Sequence, residues 1–385
     1  MNKISRLKVE GFRRLGAIDL PMHSPMVLIG ANGVGKTSLL DVLSVLSASA
    51  AGGLNHKLTS ELGGLTSVLT RGGDTDELSL LADMEVPGHE PLEYQIALAP
   101  KGPGYSIARE ELSQAREGYE EPFKHIDSRD GDIRYYKIED PRGLVRPDWE
   151  HNPLESSLSQ VPKMFRQPEE LRRILGSASL YHALDVGPRA PVKLPQSMKP
   201  STLPGADGSE LVPFLYYLRE GDPARFEAVV DSLRAAFKNL EVLNFPPVAA
   251  GMLTMTWKDK GFPKPFYMNE LSEGTLRFLW LVALLQSPGL STITMIDEPE
   301  VSLHPELLSL LADLMREASQ RTQLVVATHS DRLIRFLKPE EVVVMDVGED
   351  GFATATWADT MNLEAWLTEY GLDEVWRMGR MGGRS

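Results

Sequence analysis

The run Gly30-Ala31-Asn32-Gly33-Val34-Gly35-Lys36-Thr37 carries the plainest chemistry in the chain. It matches the spacing G-x-x-x-x-G-K-[ST] in full. Glycines at those places let backbone N–H groups turn inward around a phosphate. The lysine adds a point charge at the β- and γ-phosphates, and the threonine hydroxyl is a ligand for Mg²⁺. A helix beginning at Thr37 adds the favourable end of its dipole to the same anion. Gly30, Asn32, Gly33, Val34, Gly35, Lys36, Thr37 and Ser38 are therefore read as the residues that hold a nucleotide. A chance glycine-rich turn is a poor alternative, because an apolar strand precedes the pattern and leucines at helical spacing follow it.

Three other groups carry chemistry further along. Asp297-Glu298 follows the apolar run Thr292 to Ile296. A carboxylate at a strand tip can hold Mg²⁺, directly or through water, and the next one can polarise the attacking water. His329 ends the run Gln323 to Thr328. Ligands gather at the carboxyl ends of parallel strands, where His329 can donate to a γ-phosphate or to the water. Ser272 and Gly274, in Leu271-Ser272-Glu273-Gly274-Thr275, open an apolar helix from Leu276 to Gln286, which makes a second anion site at its N-terminus. Taken singly, these are an acidic strand cap, a structural histidine and a serine N-cap. Their order behind a complete phosphate loop outweighs those ordinary readings.

The elements that must position these groups follow from periodicity. Lys3 to Glu10 alternates as an edge strand, and Asp19 to Ile29 forms a second strand running into the glycine loop. Leu39, Leu40, Leu43 and Leu46 place a helix over Thr37 to Leu46. Residues 71–110 read as antiparallel strands. Residues 111–210 are polar and proline-rich, with one clear helix at Pro168 to Leu175. They are expected to form an insertion or lid between the two parts, 1–110 and 211–385, of one discontinuous domain. After Glu270, helices and buried strands alternate, which predicts a parallel sheet with helices on its faces. The expected fold class is α/β, with an antiparallel β subsheet and a mixed, mostly helical insertion. Trp376 in the basic tail is expected to anchor the tail by burial.

The order phosphate loop, L-S-x-G, Asp-Glu, His resembles that of ABC-type ATPases. The wording Asp297-Glu298-Pro299-Glu300-Val301-Ser302-Leu303-His304-Pro305 and the start Ile4 to Leu15 are similar to the SMC/RecF/OLD-like branch, as a predicted AAA-type ATPase without a Toprim nuclease domain. In that branch the first strand leads to a basic turn near the nucleotide, which implies a role for Arg13 there. The resemblance covers residues 1–50 and 265–346. It implies Mg²⁺ and ATP sandwiched between two heads. Lys36, Thr37, Asp297, Glu298 and His329 would act from one copy, and Ser272 and Gly274 would contact the γ-phosphate of the partner's ATP. The signature departs from the usual L-S-G-G-Q by Glu273 and Thr275. Gln160, in Ser156-Ser157-Leu158-Ser159-Gln160, is assigned as the glutamine that contacts the metal. The gap from Thr37 to Leu271 is longer than in transporter subunits and too rich in proline for a coiled coil. The segment after Asp346 lacks a nuclease metal cluster.

Composition limits the partners. The formal net charge is −14, which disfavours general coating of a polyanion and leaves local contact open. There is no cysteine, which fits a reducing cytoplasm. No signal peptide or membrane span is legible. The expected function is ATP hydrolysis driving head-to-head dimerisation, in DNA repair or in defence against phage and other foreign DNA. Arg13, Arg14, the stretch Arg142 to Arg146 and the stretch Arg166 to Arg173 are candidate DNA contacts. The alternative is a regulatory ATPase that controls a separately encoded protein effector without binding DNA. A small-molecule kinase fits the Asp-Glu pair and the signature less well.

Overall fold

The computed structural model describes residues 3–382 apart from 73–75, 87–89, 117, 137–142, 364–365, 367 and 369. Arg142, one of the expected contacts, and the end of the tail, 383–385, lie outside the described residues.

Strands β1 (Lys3–Phe12), β2 (Leu15–Pro21) and β3 (Met26–Ile29) lead into helix α1 (Lys36–Ala51). The expected strand Asp19 to Ile29 is thus two strands, broken between Pro21 and Met26. β1 and β2 join β4 (Leu78–Glu85), β5 (Leu92–Lys101), β6 (Gly104–Gln114), β7 (Phe123–Arg129), β8 (Tyr135–Tyr136) and β9 (Leu144–Val145) in one antiparallel sheet. Its order is β2-β1-β4-β5-β6-β7-β8-β9. Ile4 and Leu7 are both buried although three apart, because a bulge between Ile4 and Arg6 resets the alternation.

β3 belongs to the second sheet, with β10 (Ser179–Tyr181), β11 (Ile293–Asp297), β12 (Gln323–Thr328), β13 (Val342–Val347) and β14 (Ala353–Trp357). The order is β10-β11-β12-β3-β13-β14, parallel except for β14. Side chains alternate across a strand, so each strand feeds two cores. Met26 and Leu28 point to one core with α1 and the antiparallel sheet. Val27 and Ile29 point to the other, with helices α3 (Leu211–Gly221), α4 (Pro223–Ala236), α5 (Glu273–Gln286) and α6 (Leu308–Ser319). α1 is buried on nearly every side between the two sheets, which is why its sequence has no charged face and only two charged residues, Lys36 and Asp41.

Residues 111–210 are distributed over both layers. They complete β6, supply β7 to β9, place the helix Arg166–Leu175 (α2) against α1, and add β10 to the edge of the parallel sheet. A buried acid ties this segment down. Glu110 on β6 is fully buried and accepts from the backbone N–H groups of Ser157 (2.6 Å) and Leu158 (2.9 Å) and from the Tyr94 hydroxyl (3.0 Å). Burial pushes its carboxyl pKa up, opposed by those hydrogen bonds. Glu110→Ala leaves three buried donors without that acceptor. It is expected to cost about 2–4 kcal/mol of unfolding free energy in a urea titration.

Candidate nucleotide-binding site

Strand register brings the chemistry together. Tyr181 pairs with Ile296, Asp297 with Ala327 and Thr328 with Ile29, so β10, β11, β12 and β3 end at one level. The residues just past those ends are His182, Glu298, His329 and Gly30. This is the carboxyl edge of a parallel sheet, where such folds bind ligands.

The phosphate loop leaves β3 at Gly30, with φ 154. A Cβ there would lie 2.4 Å from the Met345 carbonyl oxygen, so glycine is required. Gly35, φ 111, is the residue before α1, and a Cβ on it would meet Leu15 at 2.9 Å. The loop is thus pressed between β13 and the β1–β2 turn. The Lys36 ammonium folds over it and donates to the carbonyls of Gly30 (2.7 Å) and Ala31 (2.9 Å). Burial lowers the Lys36 pKa, and the charges of Glu298, Asp297 and Glu300 work against that shift.

The Thr37 hydroxyl lies 3.2 Å from Asp297 Oδ2. Cis ligands of an octahedral Mg²⁺ stand about 2.9 Å apart when the metal–oxygen distance is about 2.05 Å. The two oxygens therefore fit one small cation, which takes its remaining ligands from phosphate and water. Burial raises the Asp297 pKa, with Thr37 lowering it and Glu298 raising it further. A bound cation would offset that burial.

Glu298 has φ 53, an uncommon conformation for a non-glycine residue. Its backbone N–H donates to the Ala327 carbonyl (2.8 Å), which holds it to the next strand. Its Oε1 stands 2.8 Å from His329 Nδ1, and both side chains are partly exposed. This pair, beside Thr37 and Asp297, can take a proton from a water and orient it toward a phosphate.

His182 is a further member that sequence patterns do not reveal. Its Nδ1 is 3.8 Å from Asp297 Oδ2. The strand that delivers it, Ser179–Tyr181, is too short to show a period.

The residue assigned to contact the metal, Gln160, is not at this site. Its Oε1 accepts from Asn152 N (2.7 Å), and its amide donates to the carbonyls of Asn152 and Glu155 (3.0 Å each). The adjacent Ser159 side chain lies 3.6 Å from where a Gly52 Cβ would stand, at the C-terminal cap of α1. Thr37 is at the other end of that helix, roughly 20 Å away at 1.5 Å per residue.

Arg13 has φ 49 and pairs with Asp41 on α1 at 2.6 Å. Together with Arg14, Ser67, Arg71 and Phe352 it lines a cavity of about 370 Å³. Ser272 caps α5, its hydroxyl accepting from Thr275 N at 3.2 Å. A Cβ on Gly274 would meet the Ser302 carbonyl oxygen at 2.8 Å, so a small residue lets α5 lie against the loop after β11.

Residues 26–335 match the family model described as "AAA domain, putative AbiEii toxin, Type IV TA system". The chain belongs to this family. No curated protein matches this AAA-domain chain. Among solved structures it is similar to a crystal structure of the SmcHead bound to the C-winged helix domain of ScpA. There the TM-score is 0.55 and the identity 15%, over 92% of this chain and 97% of that one. It is also similar to an Smc head domain with an extended coiled coil, bound to the C-terminal domain of ScpA derived from Pyrococcus furiosus. That match has a TM-score of 0.54 and 12% identity over 99% of each chain. The fold of this AAA-domain protein is thus that of the Smc head domains. No helix among its described residues is long and apolar enough to cross a membrane.

Proposed function

We propose that this chain hydrolyses ATP with Mg²⁺ and that two copies close head to head around the nucleotide. The Glu298–His329 pair at 2.8 Å, beside Thr37 and Asp297, is the observation that carries this reading. Lys36 and the loop amides hold the β- and γ-phosphates. Thr37 and Asp297 hold the cation, which shields charge on the transferring phosphoryl group when bound. Glu298 accepts the water's proton and His329 holds the pair in place. Ser272 and Gly274 of one copy face the γ-phosphate held by the other, and Arg13 stands on a basic turn near the nucleotide. Phosphate release from ATP by the purified chain tests the chemistry. Turnover that needs Mg²⁺ supports it, and no release at saturating Mg·ATP contradicts it.

The biological output we propose is work on DNA, in repair or defence, in the cytoplasm. The Arg13–Arg14–Arg71 cavity supports it. Among the described residues, Asp41 on Arg13 is the carboxylate paired with this trio. A double substitution, Arg14→Glu with Arg71→Glu, is expected to weaken duplex DNA binding at least tenfold at 100 mM salt. The log–log salt slope should also fall by about 2. Fluorescence anisotropy across a salt series measures both. Binding that is absent, or indifferent to these residues, favours the second reading, a regulatory ATPase acting on a separately encoded protein. The −14 formal charge supports that alternative, as do the Smc heads described with ScpA domains bound.

A further inference from the structure

Helix α5 carries Arg277 one turn beyond Gly274. The guanidinium leaves its own helix and reaches two other segments. Nε donates to the Leu184 carbonyl (3.1 Å), and Nη1 donates to the Ser302 hydroxyl (2.5 Å) and the Val301 carbonyl (3.4 Å). Leu184 lies two residues past His182, and Val301 lies three past Glu298. One side chain therefore joins the helix of Ser272 to both segments that carry groups at Asp297.

The loop it grips is under strain. Glu298 (φ 53) and Ser302 (φ 62) both adopt left-handed backbone conformations. Non-glycine residues stay in that region only where their surroundings hold them. The far side of the loop is held by β12. Glu298 N donates to the Ala327 carbonyl, and the Glu300 carboxylate accepts from the Thr328 hydroxyl. That hydroxyl in turn accepts from Ser330 N at 3.0 Å, beside His329. The near side is held by Arg277 and by the contact of Gly274 with the Ser302 carbonyl. Leu184, Arg277, Trp280, Glu298 and Val301 line one small crevice, with room for about one water. The direct bonds of Arg277 to Leu184, Val301 and Ser302 give a displacement of α5 a contiguous path to that loop. The planar fork suits the task, since one guanidinium presents donors in several directions and an ammonium is a single point.

We infer that Arg277 is a positioning residue that couples the signature end of α5 to Glu298, so that contact made at Ser272 sets the geometry of the hydrolytic pair. This rests on the proposed hydrolysis. It assigns no contact between Arg277 and the nucleotide.

The test compares Arg277→Gln, Arg277→Lys, Ser302→Ala and the pair Arg277→Gln/Ser302→Ala with wild type, in ATP turnover, KM, nucleotide affinity and melting temperature. Arg277→Gln is expected to lower kcat about tenfold, the effect of slight misplacement of a reacting group. KM and affinity should stay within about twofold. Arg277→Lys should recover part of the loss. The pair should lose no more than Arg277→Gln alone, because both changes cut one connection. Unchanged kcat in Arg277→Gln overturns the inference. So does a loss that tracks melting temperature or affinity, or additive losses in the pair. Glu298→Gln is the reference. If Glu298→Gln or wild type shows that no Glu298-dependent turnover exists, the hydrolysis reading fails and this inference with it. If Glu298→Gln is inactive and Arg277→Gln is not, the inference alone fails.

Discussion

Glu298→Gln is expected to lower ATP turnover by about 10²–10⁴-fold, the usual contribution of a positioned general base. Glutamine has nearly the same shape, and its amide oxygen can still accept from His329 as Oε1 does now at 2.8 Å. The exchange therefore removes basicity and little else. Glu298 is partly exposed, so the fold should tolerate the change. Nucleotide affinity, measured by equilibrium dialysis, should stay within about twofold of wild type. Turnover at the wild-type rate would transfer the role of base to another group.

The second large effect is at Lys36. Lys36→Ala is expected to weaken ATP binding by about 10²-fold, because charge-assisted bonds to phosphate contribute roughly 1.5–3 kcal/mol. The side chain is only 7% exposed and lies on the loop, bonded to the carbonyls of Gly30 and Ala31. Its removal takes away the ligand's cation and also frees two carbonyls of the cradle. Calorimetric titration with Mg·ATP checks the affinity. Unchanged affinity would mean that the phosphates sit elsewhere.

The loop Gly30 to Thr37 can be marked out in the sequence residue by residue, because its pattern is contiguous. A buried strand, glycines at fixed places and the start of a helix all lie within a dozen residues. Asp297-Glu298 and His329 were legible for a related reason. Each ends a strand apolar enough to be recognised alone, and parallel pairing then places both ends at one level.

His182 and Gln160 mark the limit. What puts His182 beside Asp297 is the pairing of a three-residue strand with β11, more than a hundred residues further on. No local period records such a pairing. Gln160 rested on a short polar stretch, and side-chain type alone does not say which end of α1 that stretch meets. The stretch is held by Ser156, whose hydroxyl donates to the Ser49 carbonyl (2.7 Å), and by Glu110. Residues 111–210 were hard to read because β8 and β9 are two residues each, and they owe their strand form to pairing, β8 with β7 and β9 with β8, rather than to composition. Arg277 carries no local signal beyond a charge in a mostly apolar helix. Its three acceptors come from segments that only the folded chain brings near.

Closure of two copies around ATP is the central claim, and the solution mass of Glu298→Gln by sedimentation equilibrium, with and without Mg·ATP, tests it most directly. Head-to-head closure predicts a doubling of mass with Mg·ATP, none with Mg·ADP, and none when Ser272→Arg is added. A mass that Mg·ATP leaves unchanged, at concentrations that saturate the nucleotide site, would contradict it.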